Sequence, residues 1–406
     1  MAGFFPVFFR QYWNAGADAA TITARLGMAN SLAGILVALL APVIGAIADK
    51  GTYKKRFLIF FAVTGIAMSA SLYTISQGRW LTAMIVYVIA VIGFSGGNVF
   101  YDALLTLVTD EERMDFVSAL GFSLGYLGGG ILFGVNVWMT ICPSCFGLSD
   151  ATEAVRLSFL MVALWWAFFS LPLIIYVREV RPQQHTPIKT IILSGMRQFI
   201  DTFHELRHLK VIFTFLIAYW LYIDGVDTVV RMAVDYGLSI GFNRNDLIAA
   251  LLLTQFVGFP SAICFGLLGE RIGAKRAILI AICVYLFISV WGAFIRHRYE
   301  FYLLAVIVGI VQGGIQALSR SFYARIIPED KSAQYFGFYN MIGKFATIIG
   351  PALMGTVALI VRSMGYSSDL ASRCSIISIS LLFLAGGGLF LNVDEDKGKR
   401  DAQYLS

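Results

Sequence analysis

Apolar runs of about 20 residues recur from one end of this 406-residue chain to the other. An α-helix needs that length to cross the hydrocarbon of a bilayer. Full runs are read at roughly 26–48, 56–77, 80–108, 116–141, 157–177, 211–236, 246–269, 276–295, 301–325, 335–361 and 372–392. A closed barrel would show short alternating segments instead, and none are present. The chain is 58% hydrophobic and only 14% charged, against about 25% charge in a soluble domain. It reads as an all-α, multi-pass membrane protein with no room for an extramembrane catalytic domain.

A shorter run, Met1 to Phe9, precedes these and closes on Arg10-Gln-Tyr-Trp13, a stretch composed like an interface belt. Nine apolar residues do not cross a bilayer. No basic region precedes them and no small-residue cleavage site follows, so they do not read as a signal peptide. The expectation is that Met1 begins inside the first of twelve spans, with an acidic residue on the missing part. Counting that partial run as span 1, the loops after even-numbered spans and the tail hold 20 of the 31 lysines and arginines, and the opposite loops hold 10. The positive-inside rule places the even-numbered loops and the C-terminus in the cytoplasm. The pI of about 9.0 follows from this asymmetry. The basic residues form no single stripe, so nucleic acid is not an expected partner.

A short motif occurs twice. Gly45-Ala-Ile-Ala-Asp49-Lys50 leads into Lys54-Lys55-Arg56, and Gly266-Leu-Leu-Gly-Glu270-Arg271 leads through Gly273 into Lys275-Arg276. Asp49 and Glu270 are 221 residues apart, as are Lys54 and Lys275. Gly96-Gly97 matches Gly313-Gly314, Gly125 matches Gly343, and Asp110-Glu-Glu-Arg113 matches Glu329-Asp-Lys331 in the same order. Six spans per half preserve orientation, so this is a parallel repeat. The expected organisation is a six-helix bundle over 1–177, a cytoplasmic linker over 178–209, a second bundle over 210–392 and a tail over 393–406. In the linker, Ile192, Met196, Phe199, Phe203 and Leu206 make one apolar stripe, with Arg197, His204 and Arg207 off it. That helix reads equally as one lying on the inner membrane surface or packed on the bundle.

Glycine at a helix end lets a neighbouring helix approach closely. The acid can cap an opposing helix or pair with a buried base, and the basic residues can anchor the loop at anionic headgroups. The duplicated motif therefore reads as a pair of latches, with Arg320 a candidate partner for Glu270. A plain positive-inside turn is the alternative.

Span 7 carries the costliest residues. Trp220, Asp224, Asp227, Arg231 and Asp235 are spaced four, three, four and four, which confines them to an arc of about 80°. A charge near the bilayer centre costs about 2.5–3.5 kcal/mol and usually faces a cavity. Asp224 and Asp227 are candidate substrate or coupling residues, and Arg231 and Asp235 read as a ladder easing the helix out. Lys344 lies at similar depth on span 11 and needs a counter-ion, for which Asp224 is the candidate. Gln312, Gln316 and Asn98 could line the same path or serve as interhelical hydrogen-bond glue. Cys142-Pro-Ser-Cys145 reads as a local disulfide or as two plain loop cysteines. Cys264, Cys283 and Cys374 read as packing residues. No metal cluster, nucleotide loop or nucleophile triad appears, so no cofactor and no enzymatic activity are expected.

These features resemble the major facilitator superfamily, whose signature loop follows helix 2 and recurs after helix 8. Several strings resemble its vacuole-effluxer-like branch: Gly3-Phe-Phe-Pro-Val-Phe-Phe, Asp224-Gly-Val-Asp227-Thr, Arg231-Met-Ala-Val-Asp-Tyr-Gly237, Gly314 through Arg325, and Phe336 through Lys344. The resemblance implies a twelve-helix facilitator fold moving a small solute by alternating access without ATP. Protons are a candidate coupling ion, exchanged at Asp224; alternatively Asp224 and Lys344 meet the amine and carboxylate of the solute. The resemblance also implies an amino acid as substrate, because the family's fungal members are associated with amino-acid export from the vacuole. The membrane would be the inner membrane of a bacterium or the vacuolar membrane of a fungus. A drug or metabolite exporter is the alternative within transporters. A non-transporting receptor or scaffold on the same fold is the alternative outside them.

Overall fold

Among the described residues of the computed structural model, eleven helices are long and apolar enough to cross a membrane, from Arg25–Lys50 to Asp369–Leu391. Their ends fall within a few residues of those read from hydropathy. The structure describes residues 4–16, 18–51, 53–178, 193–194, 196–197, 199–200, 202, 209–239, 244–346 and 348–405. Most of the linker, including Ile192, Phe203, His204, Leu206 and Arg207, lies outside them. Of the expected apolar stripe, Met196 and Phe199 are helical, and Phe199 stacks on Phe338 with ring centroids 5.8 Å apart.

In chain order the helices are α1 (Phe5–Phe8, continued as one π-helical turn Phe9–Trp13), α2 (Ala19–Gly51), α3 (Lys54–Ser71), α4 (Trp80–Ala103), α5 (Met114–Ile141), α6 (Ala151–Tyr176), α7 (Lys210–Ser239), α8 (Arg244–Ile272), α9 (Ala274–Gly292) and α10 (Arg298–Ile326). Span 11 is broken into α11 (Ser332–Phe345) and α12 (Ile349–Ser363). Span 12 comprises α13 (Ser368–Ser378) and α14 (Ser380–Leu391), and the tail folds as α15 (Glu395–Leu405). The matched turns Glu111–Arg113 and Glu329–Lys331 are both short 3-10 helices entering the next span, as a repeat requires. Outward-facing apolar side chains such as Leu39, Phe60, Phe168 and Leu384 are more than half exposed, as helices that meet lipid should be.

The chain forms two compact units. Unit 1 holds Met1–Leu104, Ile131–Phe199 and Ala333–Met341, and unit 2 holds Leu105–Gly130, Ile200–Ser332 and Ile342–Ser406. The first part of α5 thus packs with the second-half helices, and most of α11 packs with the first-half ones. Hydropathy cannot show such an exchange, since it reports burial and not partners.

Unit 1 is built on an aromatic core. Phe5, Phe8, Phe9, Trp13, Ile22, Leu72, Ile75, Ala83 and Phe159 pack together, all buried. Trp13 is 0% exposed and its Nε1 donates to the Ile75 carbonyl at 3.3 Å. This corrects the interface-belt reading of Arg10–Trp13, because the π-helical turn rotates Trp13 into the bundle. Cys142 and Cys145 are disulfide-bonded. Cys264 and Cys283 are exposed and Cys374 is half-buried, so the first two are not core packing residues.

Candidate functional site

The first motif copy closes on α11. α2 ends at the motif, and its Gly45 lies against the Ala333 carbonyl and Gln334 Cα so closely that a Cβ there would collide. That approach brings the Asp49 carboxylate to the start of α11. Asp49 accepts from the Ala333 N–H at 3.1 Å and the Gln334 N–H at 2.8 Å. These are N–H groups of the first turn, which have no partner within their own helix. The carboxylate also pairs with Lys54 at 3.0 Å, both side chains being under 10% exposed. Lys50 points outward.

The second copy does not repeat this. Gly266 still sits at a close approach, to Ala119 and the backbone of Asp115 and Phe116 at the start of α5. Glu270 and Arg271, however, are exposed. Gly273 turns the loop with φ +90°. Arg320 turns away from Glu270: its Nε donates to Ser118 Oγ and its Nη2 to the Ser118 carbonyl, both at 2.9 Å. The buried acid beside α5 is Asp115, on α5 itself. It accepts from Ser321 Oγ at 2.5 Å and pairs with Arg325 at 2.8 Å.

The register of the repeat also changes. Lys55 Nζ donates to the Ile174 and Val177 carbonyls at 2.7 and 2.6 Å, closing the end of α6. Lys275 Nζ donates to the Leu391 and Val393 carbonyls at 2.8 and 2.7 Å, closing the end of α14. These cations occupy the same role at the negative ends of two helices. Lys55, not Lys54, is therefore the counterpart of Lys275. The first loop is one residue longer, four residues between Asp49 and α3 against three between Glu270 and α9, so Lys54 stands where Ala274 stands and folds inward onto Asp49.

Asp224 is 0% exposed and caps the second half of the broken span. It accepts from the Ile349 and Gly350 N–H groups, each at 2.9 Å, and from Thr228 Oγ1 at 3.2 Å. Gly350 leaves room for this, since a Cβ would strike Thr228 and Asp224. The expected Asp224–Lys344 pairing gives way to this cap, because two orphan N–H groups already face the carboxylate. Lys344 lies instead within electrostatic range of Asp227 and Arg231, and Asp227 approaches Arg231 at 3.8 Å.

Around them unit 2 gathers further polar groups. Tyr126 Oη donates to Gln316 Oε1 at 3.2 Å and is within electrostatic range of Asp227. Trp220 Nε1, Tyr285 Oη and Gln312 Oε1 are among the buried polar atoms of unit 2 that have no hydrogen-bond partner. Buried orphans of this kind are uncommon and mark places that water or a ligand satisfies. Asn98 is half-buried on α4, in unit 1. Also in unit 1, one turn along α4, Asp102 accepts from Asn340 Nδ2 at 3.0 Å. The side chain of Asp235 lies outside the described residues. Sequence reasoning missed Tyr126, Asp115, Ser118 and Arg325 as site residues, and it matched Lys54 in place of Lys55 to Lys275. Only Asp115 carried a signal, an acid just inside a helix that begins at an acidic turn.

The sequence profile described as vacuole effluxer Atg22 like matches residues 19–114 and 108–403. A relative from Bacillus subtilis (strain 168), an uncharacterized MFS-type transporter named YxiO, is 36% identical over 97% of this chain and 90% of its own length. Autophagy-related protein 22 of Yarrowia lipolytica is 22% identical over 88% of this chain and 73% of its own. Among solved structures, the MFS proton:xylose symporter XylE superposes with a TM-score of 0.71 at 12% identity, covering 99% of this chain and 94% of that one. That likeness shows the twelve-helix fold alone. On the profile match and the Bacillus relative, this chain belongs to the Atg22-like vacuole effluxer family, a branch of the major facilitator transporters.

Proposed function

We propose that the chain is a secondary active transporter that moves a small solute, an amino acid first among candidates, by alternating access without ATP. The observation that carries this is the cluster of Asp227, Lys344 and Arg231 with Tyr126 and Gln316 in unit 2. Charges at that depth are costly to insert and are kept where they serve a path. Both oxygens of Asp224 are engaged by backbone N–H groups, so the acid with room for a solute amine is Asp227, 28% exposed in its side chain. Lys344 and Arg231 supply the cations for a carboxylate. Gln312 and Gln316 line the path, and Asp224 holds α12 at its edge. Asp227 is also the group that would carry a coupling proton.

The gating elements are the two motif loops, with Gly45, Asp49, Lys50 and Lys54 in one and Gly266, Glu270, Arg271 and Gly273 in the other, together with Arg320. They face the cytoplasm, as does the C-terminus, on the positive-inside argument. The membrane is a bacterial inner membrane or a fungal vacuolar membrane.

The test is transport in proteoliposomes over a set of amino acids, with and without a pH gradient. Asp227→Asn and Lys344→Met should each abolish accumulation while leaving folded protein in the membrane. Parent-like transport by Asp227→Asn at every pH would overturn the site. Cysteines placed at the exposed Lys50 and Arg271 should label from the inside only. A chain that binds solutes but moves none would favour the receptor reading, and movement of drugs but no amino acid would favour the exporter reading.

A further inference from the structure

α9 runs away from the second motif loop. At its far end unit 2 holds a cavity of about 460 Å³ against the first turns of α13. The spans that flank it end at Gly292 and begin at Asp369, so the cavity lies where hydrocarbon gives way to headgroups. Its wall is mixed. Phe294 is 63% exposed and Leu370 40%, and apolar side chains at that level gain from hydrocarbon cover. Beside them stand Arg296, Arg373 and Asp369.

The charges of the wall are held in place from behind. Arg373 Nη1 donates to the Ala293 and Ile295 carbonyls at 2.7 and 3.0 Å, which closes the end of α9. Its Nε donates to Asp369 Oδ2 at 2.9 Å. Those bonds use Nε and Nη1, and the other nitrogen of the fork, Nη2, is a further donor. Asp369 is 59% exposed in its side chain despite the pairing, so a cation can approach Oδ1. Arg296 is exposed. Glu300 caps α10, accepting from the Arg296 and His297 N–H groups at 2.7 and 2.8 Å, and stands outside the wall. The wall thus presents two guanidinium groups and one carboxylate next to exposed apolar surface.

We propose that this cavity binds a phospholipid whose headgroup carries a primary amine. Its phosphate lies on Arg296 and Arg373, its ammonium on Asp369, and an acyl chain along Phe294 and Leu370. Arginine forks suit phosphate oxygens. The phosphate and ammonium of an ethanolamine headgroup are joined by an ethylene bridge, which matches a base and an acid held in contact on the wall. The lipid belongs to the leaflet away from the motif loops.

The experiment uses the full chain with Cys264→Ser and Cys283→Ser. Cys142 and Cys145 are tied in their disulfide, so Cys374, half-buried in the cavity wall, is the free thiol that reports occupancy. Phosphatidylethanolamine added to a phosphatidylcholine nanodisc should slow maleimide labelling of Cys374 about tenfold, the protection expected at nine-tenths occupancy. Choline has no N–H to give Asp369. Phosphatidylglycerol, which has the phosphate and no amine, should protect less. Arg296→Gln leaves the Arg373 bonds in place, so folded yield should hold while most of the protection is lost. Asp369→Asn should erase the difference between the ethanolamine and glycerol lipids. Equal labelling with and without phosphatidylethanolamine would overturn the site. Equal protection by glycerophosphoethanolamine or by a free amino acid would overturn the lipid as occupant, since neither has chains to lie on Phe294 and Leu370. Protection that survives both Arg296→Gln and Asp369→Asn would show lipid packed on the helices without a headgroup site. None of these readouts passes through transport, so they stand or fall apart from the function proposed above.

Discussion

The loop after α2 and the loop after α8 derive from one motif and do different work. Each keeps its glycine at a close helix approach, Gly45 to α11 and Gly266 to α5. Each keeps a lysine on the final carbonyls of another helix, Lys55 on α6 and Lys275 on α14. The acids diverge. Asp49 is buried, caps α11 and holds Lys54, whereas Glu270 stands in the open. In the second half the buried charge has moved across the contact: Asp115 on α5 meets Arg325 and Ser321 of α10. Sequence symmetry therefore conserves close approach and helix closure, and each half finds its own buried ion pair.

The largest effects should come from the two buried acids. Removing one partner of a buried pair costs about 3–5 kcal/mol, so Asp49→Ala and Asp115→Ala should each sharply lower thermal stability in detergent and transport in vesicles. Equal loss from Glu270→Ala would break the contrast. Next come the glycines. Gly45→Val and Gly266→Val should both unseat the adjoining helix and cut folded yield, because a side chain at either position has nowhere to go. A tolerated change at one alone would show that only one close approach is obligatory.

Smaller effects test the lysines. Lys55→Met and Lys275→Met each remove a cation from two final carbonyls, worth about 1–2 kcal/mol. Their melting temperatures should fall by matching amounts. Lys54→Met should follow Asp49→Ala instead, and if it follows Lys275→Met the revised register is wrong. Last, Glu270→Gln should leave the melting temperature within error, since an exposed side chain has little to lose.

A good deal of this could be read without coordinates. Span ends agreed closely because hydropathy is a sum of per-residue transfer terms, each local. The polar arc on α7 was legible for the same reason: helical periodicity alone put Asp224 and Asp227 on one face. What those two acids do was not legible. Asp224 caps α12 because span 11 breaks beside it, just before Gly350-Pro351; that pair signals a helix start in the sequence but does not say which acid will cap it. Asp227, a turn away, keeps room beside Lys344. The Lys54 reading failed because counting along the chain cannot show which of two adjacent lysines turns inward after a one-residue insertion.

The sequence by itself determined that the chain crosses a membrane as helices, that it is two copies of a six-helix plan, and where its costly charges lie. Those follow from burial energies and periodicity, which each residue carries with it. Only the tertiary structure decided the partners. Asp49 meets Ala333 across 284 residues of chain, and α5 and α11 each divide between the two units. Such choices depend on which surfaces fit at close range. A contact energy belongs to a pair of groups and their geometry, so it has no value until packing brings the pair together.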